Sequence, residues 1–110
     1  MSVRPPQSLM RPFSIESGFN VLEYELAAER ANSLGRHGRK VETALADLKT
    51  FDAKGQKDDP HRQALLQKAS DAVWSFMVQR EICGLRNSRD VIRRYEIPDE
   101  VLARLGSSPR

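Results

Sequence analysis

From about Phe19 to about Asp52 the chain contains no proline, and its apolar residues return at helical spacing. Leu22, Leu26, Leu34, Val41, Leu45 and Leu48 are separated by sums of three and four, with Ala27, Ala31 and Ala44 beside them. Residues so spaced share one face of a helix, whereas a strand would alternate. Glu, Ala, Leu, Arg and Lys predominate here, and all favour helix. A stripe of this length restricts the chain to helix-on-helix packing. Its weak point is Leu34-Gly35-Arg36-His37-Gly38, where each glycine costs about 1 kcal/mol relative to alanine. Leu34, His37 and Val41 carry the stripe across both glycines without a change of phase, so one continuous helix is expected. Glycines inside it would let another helix approach closely.

Lys54-Gly55-Gln56-Lys57-Asp58-Asp59-Pro60 is the strongest punctuation. Gly55 can close the first helix in a left-handed conformation, Asp59 can cap the next, and Pro60 suits a first helical position. So short a connection joins antiparallel neighbours. The second helix is expected from about Pro60 to Leu85. Leu65, Leu66, Ala69, Val73, Phe76 and Met77 form one stripe, and Trp74, Val78, Ile82 and Leu85 a second on roughly the opposite side. A helix apolar on two sides is buried on two sides.

Asn87 or Ser88 can cap a third helix carrying Val91, Ile92 and Tyr95. Pro98, with Asp99 and Glu100 after it, opens a fourth with Val101, Leu102 and Leu105 that ends at Gly106. These two are expected to cover part of the second face. At the other end, Pro5, Pro6 and Pro12 mark residues 1–16 as a flexible arm that docks through Leu9, Met10, Phe13 and Ile15. Ser17 or Asn20 is the expected cap of the first helix, Asn20 with Glu23 in a capping box. The layout is an arm (1–16), a single helical domain (17–106) and a tail (107–110). The fold class is all-α: a long antiparallel helical hairpin plus two short C-terminal helices, closing into a four-helix bundle on dimerisation.

Chemistry is sparse. Two histidines and one cysteine without close spacing do not make a zinc site. Cys83 reads as a small buried hydrophobe, and the aspartates near residue 58 lack the alternation and terminal glutamate of a calcium loop. No strand leads into Gly35 and Gly38, so they form no phosphate loop. We expect no catalytic residue, no metal and no cofactor. No run approaches the roughly 18 apolar residues of a membrane span. Residues 1–12 have no apolar core of a secretory signal, and a lone cysteine fits a reducing cytoplasm.

Arg80, on the stripe of Val73 and Met77, is the unusual polar residue. If buried it must be paired, and Glu23, Glu25 or Glu29 of the first helix is the expected partner. The net charge of +3 comes from 18 basic against 15 acidic residues, a mixture typical of solvated helix surfaces. A second reading of residues 86–106 is a helix-turn-helix that binds DNA. Val91, Tyr95, Ile97, Leu102 and Leu105 fall on its apolar positions, and Arg86, Arg89, Arg93, Arg94 and Arg104 could meet phosphates. Against it, the inner small position is Ile92, the turn position is Glu96, and the recognition helix opens with Asp99 and Glu100.

Residues 78–86 (Val-Gln-Arg-Glu-Ile-Cys-Gly-Leu-Arg), Tyr95-Glu96-Ile97-Pro98 and residues 101–106 (Val-Leu-Ala-Arg-Leu-Gly) resemble small bacterial proteins grouped as a family of unknown function. The Leu34-Gly35-Arg36 region does so weakly. The resemblance implies a bacterial protein whose C-terminal half is a unit, and it implies no activity. The expected function is therefore a non-enzymatic interaction module, a cytoplasmic homodimer anchored on Trp74, Val78, Ile82 and Leu85.

Overall fold

The structure, a computed structural model, describes residues 15–55 and 57–105, with side chains from residue 18 onward. The arm's Leu9, Met10 and Phe13, and the tail, lie outside the described residues, as does Gly106. Four helices and no strand occur among those described: α1 (Ile15–Ala53), α2 (Asp59–Ile82), α3 (Ser88–Tyr95) and α4 (Asp99–Ala103). Because α1 already starts at Ile15, Ser17 and Asn20 lie within it and are not its cap. The chain divides into two compact units, the first ending at Asn32 and the second starting at Ser33.

In the first unit, every residue from 18 to 32 is exposed, including Phe19, Leu22, Tyr24 and Leu26. The second unit holds the core. There α1 passes through Gly35 and Gly38 without a break, as the unbroken stripe implies. Val41, Ala44 and Leu48 of α1 meet Leu66, Ala69, Val73 and Phe76 of α2, and Val91, Ile97 and Val101 complete the cluster. Burying such side chains supplies roughly 1.5–3 kcal/mol each, which is what opposes the entropy of ordering the backbone. Ser70, also buried, leaves its hydroxyl oxygen without a hydrogen-bond partner.

The turn between α1 and α2 works one residue away from the expected place. Gly55 takes the left-handed conformation, φ 68°, but the cap of α2 is Asp58, whose carboxylate accepts from the His61 amide at 3.3 Å. Asp59 and Pro60 then occupy the first helical positions. Phe51 and His61 pack edge to face across the turn, ring centres 4.9 Å apart.

Arg62 of α2 locks three elements together. It donates to Asp52 at the end of α1 (Nε–Oδ1 2.8 Å) and to Glu100 of α4 (Nη2–Oε1 2.8 Å), a two-carboxylate fork suited to a planar guanidinium. Arg104 adds hydrogen bonds to Gln67 (2.8 Å) and to Gln63, both on α2. At the far end of α2 the chain leaves through a Schellman turn. The Leu85 amide donates to the Arg80 carbonyl at 2.8 Å and Gly84 to Glu81 at 2.9 Å, with Gly84 at φ 84°. The helix thus stops at Ile82, short of the expected Leu85. The same motif ends α3, where Ile97 donates to Ile92 (3.0 Å) and Glu96, at φ 51°, takes the place usually given to glycine.

Gly38 is the residue on which α3 rests. A Cβ there would lie 2.8 Å from Tyr95 Oη and 3.6 Å from Phe76 Cζ, while one at Gly35 would meet only the mobile end of Arg39, at 3.3 Å. The two glycines therefore respond oppositely. Gly35→Ala gains about 0.5–1 kcal/mol in chemical denaturation from helix propensity alone. Gly38→Ala loses stability instead, and adding Tyr95→Phe recovers part of the loss, since the hydroxyl oxygen is what the new methyl strikes. Equal gains at both positions would contradict this packing.

The Arg62 fork has a pH signature. Hydrogen bonds from Arg62 hold the carboxyls of Asp52 and Glu100 below their ordinary values, outweighing the opposite pull of desolvation. A carboxyl with a lowered folded pKa contributes stability above its unfolded value and loses that contribution as pH falls through the folded one. Carbon-detected NMR titration should find both carboxyls ionised below the usual carboxylate range, and Arg62→Gln should return them to it. Unchanged titration in Arg62→Gln would mean the fork is not populated in solution.

Candidate functional site

Val91, Ile97 and Val101 enter the same core that α1 and the inner side of α2 build. The C-terminal helices therefore do not cover the second apolar face of α2, contrary to expectation. The reason is local: the left-handed Glu96 turns the chain so that Ile97 and Val101 point inward. What stays open is the outer side of α2. Trp74 is 46% exposed, Ile82 63%, and Val78 and Leu85 are exposed as well. Trp74, Val78 and Ile82 recur every four residues, so they form one stripe on the helix surface. Leu85 is exposed too, beyond the end of α2 and past the Schellman turn.

Arg80 is half-buried, not buried. Its guanidinium donates to the Asn87 carbonyl at 3.3 Å and stands 5.9 Å from the centre of the Phe76 ring. Glu23, Glu25 and Glu29, expected as its partners in a buried ion pair, belong to the first unit and are exposed. The core of the second unit begins further along α1, at Leu34 and Val41. Asn87 itself caps α3 by accepting from the Asp90 amide at 3.2 Å. Arg80 thus links the end of α2, through Phe76 and Asn87, to the start of α3.

A second surface feature went unread in the sequence. An open groove of about 700 Å³ runs between α1 and α2, lined by Arg36, Arg39 and Lys40 on one side and by Lys68 on the other, with Asp71 its carboxylate. Ala44 and Ala72 line it too, Ala44 buried and Ala72 half-buried. The signal was available: Lys40 with Ala44 and Lys68 with Ala72 repeat one i,i+4 pattern on the two helices.

The described residues hold no group of three or more His, Cys, Asp or Glu able to grip a metal ion. No helix among them is long and apolar enough to cross a membrane. Cys83 is half-buried, with the Gln79 amide 3.9 Å from its sulfur.

Arg80 offers the sharpest test of this geometry. Losing one long hydrogen bond and a partly solvated cation–π contact costs about 1–2 kcal/mol in the Arg80→Ala variant. Breaking a buried ion pair would cost about 3–5 kcal/mol. A loss in the upper range in urea denaturation would restore the buried pair and reject the contacts described here.

No curated protein and no solved structure matches the chain. One family model does match, over residues 1–110, so the chain belongs to a family of unknown function (DUF6665).

Proposed function

We propose that the protein is a non-enzymatic helical module that works by self-association in the bacterial cytoplasm. One observation carries this reading: Trp74, Val78, Ile82 and Leu85 stay exposed although the C-terminal helices have already been spent on the opposite side of α2. Contiguous exposed apolar side chains on a small protein mark a contact surface. A two-fold dimer is the commonest closure for soluble chains, and the outer sides of two α2 helices packed together would build a four-helix bundle from two α1–α2 hairpins. A tryptophan at the centre of such a contact is its natural anchor.

A DNA-binding regulator acting through residues 86–106 is the weaker alternative. Helix α4 spans only five residues and opens with Asp99 and Glu100, the latter bonded to Arg62. Arg104 is turned onto Gln63 and Gln67, and Arg94 stands 3.1 Å from Asp90. A steeply salt-dependent shift of duplex DNA at micromolar protein would favour that alternative.

The self-association reading predicts a dimer by light scattering at tens of micromolar. Trp74→Glu should yield a monomer that keeps its helical circular dichroism. Trp74 is the single tryptophan, so dilution of the native chain should move its emission to longer wavelength as the dimer dissociates. A well-folded wild-type monomer at that concentration overturns the reading.

A further inference from the structure

The basic groove and the segment 18–32 carry opposite charge. On the groove side, Arg39, Lys40 and Lys68 stand with one carboxylate, Asp71, which already accepts from the Gln67 amide at 3.0 Å. Its small lining residues, Ala44 and Ala72, leave room for large side chains between flanking Lys40 and Lys68. On the other side, Phe19, Leu22 and Leu26 recur at i, i+3 and i+7 and are all exposed. At 100° per residue, Glu23 falls on one flank of that stripe and Glu25 on the other. Large residues flanked by carboxylates thus match small residues flanked by ammonium groups, the pattern by which helices select partners in bundles.

We propose that residues 19–29 of a second copy lie along the groove between α1 and α2, with Phe19, Leu22 and Leu26 over Ala44 and Ala72 and the glutamates beside Lys40 and Lys68. This rests on the self-association reading and names a second contact within it. Pairing the acidic segment with its own copy would set like charges together, which costs what the groove gains. The two contacts adjoin on α2: at 100° per residue Asp71 and Ser75, which line the groove, lie about 60° and 100° around the helix from Trp74, so one partner copy could meet both, with its α2 on the tryptophan face and its acidic segment on the groove. Each copy would give one segment and receive one.

The test uses the full chain and reversed charges at exposed positions. Lys40→Glu/Lys68→Glu, and separately Glu23→Lys/Glu25→Lys, should each weaken self-association at least tenfold at low salt by sedimentation equilibrium. Circular dichroism checks that both still fold. Mixing the two variants should recover association, because each then offers the charge the other lacks, and high salt should shrink all of these differences. Variants that associate like wild type, or a mixture no stronger than its components, overturn the proposal; if Trp74→Glu still disperses the dimer, the self-association reading survives. Loss in the lysine variant alone would mean the groove takes an anion other than this segment, which also overturns it. A wild-type monomer removes both.

Discussion

The edge-on contact of Phe76 with Tyr95, ring centres 5.3 Å apart beside the bare backbone of Gly38, is the interaction on which the second unit depends. It joins α1, α2 and α3 at one point, and it exists only because α1 has no side chain there. Arg80 stands over the same Phe76 ring and reaches the carbonyl of Asn87, the residue that caps α3. Once α3 is placed in this way, its left-handed terminus at Glu96 sends Ile97 and Val101 into the core. A non-glycine residue in that conformation is strained by about 1–2 kcal/mol. Burial of Ile97 and Val101 offsets that cost. The consequence for function lies on the opposite side of α2, which the C-terminal helices leave exposed among the described residues.

The polar links at the other end of α2 do a different job. Arg62 is only part-buried and its two carboxylates are exposed, so water screens much of the attraction. Its value is geometric: one planar group fixes the end of α1 and the start of α4 against α2. With Arg104 on Gln63 and Gln67, it ties down a helix of five residues that could not persist alone. Apolar burial gives the energy, and these links choose among the orientations it would allow.

Much of the helical order could be read from spacing because helix period and turn chemistry are local properties. The stripe through Leu34, Val41, Leu45 and Leu48 is continuous, Gly55 is left-handed, and Asn87 caps α3, all as residue type and interval require. The exposed stripe of Trp74, Val78 and Ile82 was legible for the same reason. Side-chain partnership was not. Arg80 sits on an inward stripe and invites a carboxylate, yet a carbonyl and a ring receive it. Which face the C-terminal helices would choose depended on the conformation of Glu96, and a glutamate gives no warning that it will adopt φ 51°. The Arg62 fork joins residues 10 and 38 positions apart, beyond any local pattern.

The first unit carries the argument for assembly one step further. A helical segment in water draws most of its stability from packing an apolar face, since propensity alone leaves short helices marginal. Residues 18–32 have good helix formers in Glu, Ala and Leu, but none of their side chains is buried. Phe19, Leu22 and Leu26 are spaced as a core stripe is spaced, and glutamates stand where a pairing helix would carry its charges. A sequence under no demand to pack there would have no reason to hold three large apolar residues in register. The basic groove supplies the opposite charge and a shallow floor within the same chain, so complementarity needs no foreign partner. On the self-association proposed above, one kind of event, contact between copies, would cover both the tryptophan face and the acidic stripe.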